Sequence, residues 1–174
     1  GGGSTITQQL AKQCYTEQVA SNSLQRALQK PIEWVIAVQL ERYYTKKEIV
    51  AMYFNKFDFV NNAVGIKSAS SVYFNTSPDK LSVEQAATLV GMCQNPAYYN
   101  PVRFNERTKE RRNVVLSQME RAGYLTEHVC DSLQQLPLVL DYQKVDHKLG
   151  LAPYFREYLR RMLMAKKPVR SNYA

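Results

Sequence analysis

At 174 residues the chain suits one domain with a single core, and its 45% hydrophobic and 22% charged residues exclude disorder for the bulk. Lys plus Arg outnumber Asp plus Glu by 23 to 15, and the resulting +8 favours a polyanionic partner: nucleic acid, anionic lipid headgroups or a phosphorylated substrate. No apolar run reaches the roughly 18 residues a membrane span needs, since the richest stretch, Ile32 to Leu40, is interrupted by Glu33 and Gln39.

Apolar residues recur at helical spacing almost throughout, and alternating strand patterns are nearly absent, so the spacing predicts a mainly α domain. Thr5 to Val19 reads as a first helix. Pro31 to Tyr44 reads as a second, with Pro31 suited to its first turn. Lys46 to Asn55 and Gly65 to Phe74 follow as a third and a fourth. Ser82 with Gln85 three residues on forms a capping box for a fifth helix ending near Gln94, ahead of Pro96. Asn105 to Ala122 is a sixth, closed by Gly123 at a C-cap position. Thr126 caps a seventh that ends before Pro137, and Leu138 to Gln143 reads as extended. A last helix is expected over about Ala152 to Ala165, with a basic linker beginning over 166–174.

Chemistry-bearing residues gather near the start of the sequence. Gly1-Gly2-Gly3-Ser4 puts a glycine-rich turn before a helix N-terminus, where free N–H groups and a partial positive charge attract phosphate. Thr5, Gln9 and Lys12 follow at i, i+4 and i+7, so a hydroxyl, an amide and an ammonium share one face. That set suits diphosphate oxygens, although a polar helix face is most often merely solvated. Glu33 sits in the first turn of the expected second helix, where the dipole and nearby Lys30 and Arg26 favour its ionised form, as they would for any capping glutamate. Arg103 to Arg121 is a basic stretch of the kind that is usually a solvated face. Ser77-Pro78-Asp79-Lys80 matches Ser-x-x-Lys, but no Lys-Thr-Gly accompanies it, and a turn before the Ser82 cap explains it better than a nucleophile does. Cys14, Cys93 and Cys130 have no metal-ligand spacing and read as small hydrophobes.

Four segments in order resemble glycosyltransferase family 51, the glycan-polymerising domain of class A penicillin-binding proteins. Gly2 to Lys12 (GGSTITQQLAK) looks like its second motif, Lys30-Pro31-Ile32-Glu33 like its third, Lys47 to Asn55 (KEIVAMYFN) like its fourth, and Arg111 to Leu116 (RRNVVL) like its fifth. Gln94 to Pro101 (QNPAYYNP) also fits. The resemblance implies a lysozyme-like helical fold over 1–165. It implies lipid II and the growing glycan chain as substrates, at the external, periplasmic face of the cytoplasmic membrane. Anionic membrane surface and other cell-wall synthesis proteins would be its partners, and nucleic acid would not. No cofactor is implied, with a divalent metal left open.

By motif correspondence Thr5, Gln9, Lys12 and Lys30 would contact the diphosphate and sugar region, with Ser4 and Asn55 carried beside them as substrate-binding candidates. Glu33 would be the second glutamate, which helps on the leaving-group side. The family's first motif, Glu-Asp-x-x-Phe-x-x-His, carries the principal base and is not in this sequence, so the chain alone is expected to make no glycan. Other departures are Gln13 for Asn, Gln29 for Arg (with Arg26 as a substitute cation), Asp58-Phe59-Val60 for Tyr-Phe-Gly, and Ala63-Val64-Gly65 for Ala-Tyr-Gly. Two other readings compete: a lysozyme-like glycoside hydrolase, for which the Thr5, Gln9, Lys12 face has no use, and a basic non-enzymatic helical module. The adjacent Arg111 and Arg112 are expected to be structural, one pairing with an acidic side chain and the other facing solvent.

Overall fold

A computed structural model of the chain describes residues 4–15, 23–144, 155 and 158–162, with backbone alone at 15 and 23–29. It divides into two units, Gly1–Gln143 and Lys144–Ala174. The first unit contains α1 (Ile6–Tyr15), α2 (Ser23–Tyr43), α3 (Lys46–Lys56), α4 (Ile66–Phe74), a 3-10 turn over Pro78–Lys80, α5 (Val83–Met92), α6 (Asn105–Arg121) and α7 (Glu127–Gln135). In the second, Phe155 and residues 158–162 are helical, within the expected last helix; the rest of that helix and the 166–174 linker lie outside the described residues. No described helix is long and apolar enough to cross a membrane.

Caps explain several boundaries. α3 starts at Thr45, whose N–H donates to Glu48 Oε2 at 2.7 Å while Glu48 N–H donates to Thr45 Oγ1. These bonds to the charged form hold the exposed Glu48 carboxyl below its ordinary range. Gln85 Oε1 accepts from Ser82 N–H as α5 begins, and Gly123 (φ +78°) follows α6. The Ser77–Lys80 stretch is the short turn expected of it.

α2 departs from expectation. It begins at Ser23, so Pro31 lies in its interior and not in its first turn. An interior proline removes one backbone donor and costs about 3 kcal/mol. Burial opposes that cost: Glu33, Ile36, Ala37 and Leu40 form an inward face, and α2 packs on α1. The opposite face is also largely apolar, with Trp34, Val35 and Val38 exposed. The first helix is described only to Tyr15, and the remainder of its expected span, 16–19, is outside the described residues.

The core joins α1 (Leu10), α3 (Ile49, Tyr53), the following loop (Phe57, Phe59, Ala63), α4 (Val72, Tyr73, Phe74) and α5 (Leu89, Met92). Phe59 sits inside a compact turn in which three successive residues, Val60, Asn61 and Asn62, have φ of 59°, 51° and 63°. Asp58 Oδ1 accepts from Val60 N–H, Phe59 N–H donates to Ala63 O, and Tyr73 donates its phenol to Phe59 O at 2.6 Å. Asn61 Nδ2 donates to Asn100 Oδ1, which ties this turn to the loop before α6. Gly65 then passes so close to α3 that a Cβ would lie 2.6 Å from Asn55 O.

A smaller cluster, Ala87, Val115, Leu116 and Cys130, joins α5, α6 and α7. Residues 138–143 form neither helix nor strand, and Asp141 and Gln143 N–H donate to the carbonyls of Tyr73 and Val72 at the end of α4.

Arg112 is fully buried. Its Nη2 donates to Gln134 O (3.2 Å) and Leu136 O (2.7 Å) at the C-terminal end of α7, and Nε and Nη2 reach Asn113 Oδ1. Burial holds its pKa below the usual arginine value. Neither arginine behaves as expected in detail: Arg112 serves carbonyls in place of a carboxylate, and the half-buried Arg111 lies beside α5 and the Tyr99 ring. A helix end offers orphan carbonyls, which a guanidinium fork satisfies as well as it satisfies an acid.

Candidate active site

α1 is held by its inward face, where Thr7, Leu10 and Ala11 are buried and Cys14 half-buried at i, i+3, i+4 and i+7. The opposite side must then carry Thr5, Gln9 and Lys12, and all three are exposed. The expected shared face is therefore present. Its members also have structural work. Thr5 caps α1: its Oγ1 accepts from Gln8 N–H at 3.2 Å, and Gln8 Oε1 accepts from Thr5 N–H at 3.3 Å. Ser4 Oγ donates to the same Gln8 oxygen. This Thr-x-x-Gln box was legible in the sequence by the same rule that identifies Ser82 with Gln85.

Gln9 is fixed from two sides. Tyr53 on α3, 4% exposed, donates its phenol to Gln9 Oε1 at 3.0 Å, and Gln9 Nε2 donates to Ser4 O at 3.4 Å. Burial raises the Tyr53 phenol to about 12, so it remains a proton donor at neutral pH. Tyr53 lies within the fourth motif but carries no sequence signal of its own, because its partner is 44 residues away.

On α2, Lys30 Nζ meets Glu33 Oε2 at 3.0 Å, the exposed ammonium covering a carboxylate that is only 6% exposed. Because α2 starts at Ser23, Glu33 lies well inside the helix; the ion pair, and not the helix terminus, neutralises it. A carboxylate this buried needs such a partner. The Arg26 and Gln29 side chains are outside the described residues. α1 packs against both α2 and α3, so the cationic face and the Lys30–Glu33 pair stand on neighbouring helices.

Asn55 is set apart. It is exposed on α3 and lines an open apolar groove of about 340 Å³ with Phe54, Ile66, Pro78, Leu81 and Leu89, among whose lining residues there is no other candidate. Among the described residues no three His, Cys, Asp or Glu side chains gather as metal ligands. Burial pushes the Cys93 thiol up to about 12, which fits the reading of this cysteine as a hydrophobe.

The family profile described as Transglycosylase matches residues 1–120. The chain belongs to the transglycosylase family. It is 42% identical over 128 residues to penicillin-binding protein 2a of Streptococcus pneumoniae, covering 74% of this chain and 17% of that protein. Penicillin-binding protein 1A/1B of Bacillus subtilis is 44% identical over 131 residues, covering 72% and 13%. The chain thus spans less than a fifth of these relatives. A crystal structure of penicillin-binding protein 1A from Haemophilus influenzae superposes with a TM-score of 0.51 at 25% identity, covering 72% of this chain and 19% of that one. The mainly helical transglycosylase fold expected from the motifs is the fold observed.

Proposed function

We propose that this transglycosylase chain takes part in polymerising lipid II, transferring the growing glycan from its lipid diphosphate to the 4-hydroxyl of the next lipid II. The observation that carries the reading is the exposed Thr5, Gln9, Lys12 face at the N-terminal end of α1, on a helix packed against the one bearing Lys30 and Glu33. The hydroxyl oxygen attacks the donor's anomeric carbon, the bond to the diphosphate breaks, and the diphosphate departs with the electron pair. The hydroxyl proton goes to a general base for which no residue of this sequence is assigned.

Lys12, Lys30, the Gln9 amide and the start of α1 would hold the diphosphate as its charge grows. Glu33, 3.0 Å from the Lys30 Nζ, would orient that ammonium. Ser4 and Thr5 would contribute mainly by shaping the helix start, and Arg26 by adding positive charge. Asn55 is the weakest candidate, being placed on an apolar groove. The reading calls for no organic cofactor and leaves a divalent metal open. The +8 charge and the exposed Trp34, Val35 and Val38 face support a seat on an anionic membrane, while its external side and other cell-wall synthesis proteins as partners rest on the family resemblance.

Two measurements test this. The chain should bind lipid II in preference to DNA across a salt titration, and preferential DNA binding would favour the basic-module alternative. In the full-length protein, Lys12→Met should lower kcat and kcat/KM together by roughly 10²–10³-fold, the range for one preorganised donor at a developing charge. The melt should be unchanged, because Lys12 is exposed. Normal turnover would reduce Lys12 to a surface residue.

A further inference from the structure

We infer that Tyr53 is a positioning residue for diphosphate binding: from the core it fixes the Gln9 side-chain amide so that an N–H is presented to the anion. The inference rests on the diphosphate reading above. A glutamine amide can be placed either way round, and only one way offers donors to an anion. Ser4 O settles the orientation, since a carbonyl only accepts: the group facing it, at 3.4 Å, is Nε2. The oxygen therefore faces Tyr53, which must be the donor across the 3.0 Å contact.

Nε2 carries a second hydrogen beyond the one it gives to Ser4 O, and Gln9 is exposed alongside Thr5 and Lys12. Were the amide reversed, its oxygen would meet the Ser4 carbonyl and repel a phosphate as well. Tyr53 is suited to enforce the choice. Its ring is clamped against Phe57 (centroids 5.4 Å apart) and edge-on to Phe54 (5.5 Å), and its buried hydroxyl must find an acceptor. Burial, by raising its pKa to about 12, keeps the donor protonated at any pH near neutrality.

The test uses the chain with undecaprenyl diphosphate in detergent micelles and, separately, inorganic diphosphate. Binding is measured for the unaltered protein, Gln9→Ala, Tyr53→Phe and the double variant. The side-chain 15N resonance of Gln9 is followed in parallel. Gln9→Ala should weaken binding on the order of tenfold, as expected for one hydrogen bond to a charged group. Tyr53→Phe should weaken it by about three- to tenfold through the freed amide, and the Gln9 NH₂ signals should lose their rigid, resolved character. The double variant should bind no more weakly than Gln9→Ala, because Tyr53 acts only through Gln9.

Additive losses in the double variant, unchanged binding by Tyr53→Phe, or a Gln9 amide that stays rigid in Tyr53→Phe would each overturn the role of Tyr53 alone. Failure of the unaltered chain to bind either diphosphate, or indifference of binding to Gln9→Ala, would overturn the diphosphate reading and this inference with it. A fall in melting temperature without a change in binding or in the Gln9 resonance would make Tyr53 an ordinary core residue.

Discussion

Replacing Val60 by glycine should stabilise the chain relative to replacing it by alanine, the reverse of the usual order. Val60 has φ +59°, a conformation that costs an L-residue about 1–2 kcal/mol and is especially unsuited to a β-branched side chain. Both substitutions remove the same half-buried isopropyl group, so the packing loss largely cancels between them. Alanine keeps a Cβ and with it the left-handed cost. Glycine sheds that cost but surrenders about 0.5–1 kcal/mol of chain entropy on folding. The balance is about 0–1.5 kcal/mol in favour of glycine, or up to roughly 6 °C in Tm for a chain of this size. Urea titrations of the two variants side by side decide it, read as a higher midpoint at equal slope for Val60→Gly. An alanine variant as stable as the glycine variant would refute the argument that left-handed backbone strain at 60 outweighs the chain entropy of glycine.

Gly65→Ala should do the opposite, costing about 2–4 kcal/mol in a denaturant titration, because φ is +81° and the new Cβ would meet Asn55 O at 2.6 Å. Arg112→Met should cost about 1–3 kcal/mol by leaving the Leu136 carbonyl without its donor and the Gln134 carbonyl with Asn113 Nδ2 alone, and Arg112→Lys should recover only part of it in the same thermal melt. Stability should fall in strong alkali. Tyr53 and Cys93 have folded pKa values raised to about 12, so the native state retains protons that the unfolded chain gives up. Their contribution is present below about pH 8.5–10, where the unfolded groups titrate, and is lost as pH rises towards 12. Tyr53 and the still more shifted Tyr73 should be the last phenols to ionise in an ultraviolet titration, and early ionisation of either would contradict their burial.

Most helix limits were readable because caps are local: Thr126 and Gly123 announce themselves within a turn. The exception was the start of α2, where proline chemistry points to a first turn. Packing of the Glu33, Ala37, Leu40 face against α1 is a tertiary fact, and no local rule contains it. For the same reason the shared face of Thr5, Gln9 and Lys12 followed from spacing alone, whereas Tyr53 did not, since its bond to Gln9 exists only once α1 and α3 meet. Arg112 was recognisable as structural from its adjacency to Arg111. Its true partners, carbonyls contributed by a later helix, leave no mark on residue type.

The bond between Arg112 and the end of α7 also bears on how this part of the chain opens. A nine-residue helix has little stability of its own in water. α7 owes its persistence to the Val115, Leu116 and Cys130 contacts and to a guanidinium borne by α6. Neither α7 nor the α6 side that faces it can loosen without stripping the buried Arg112 guanidinium of its carbonyl partners. The two helices should therefore unfold as one cooperative unit, with their slowest amides exchanging through a common event.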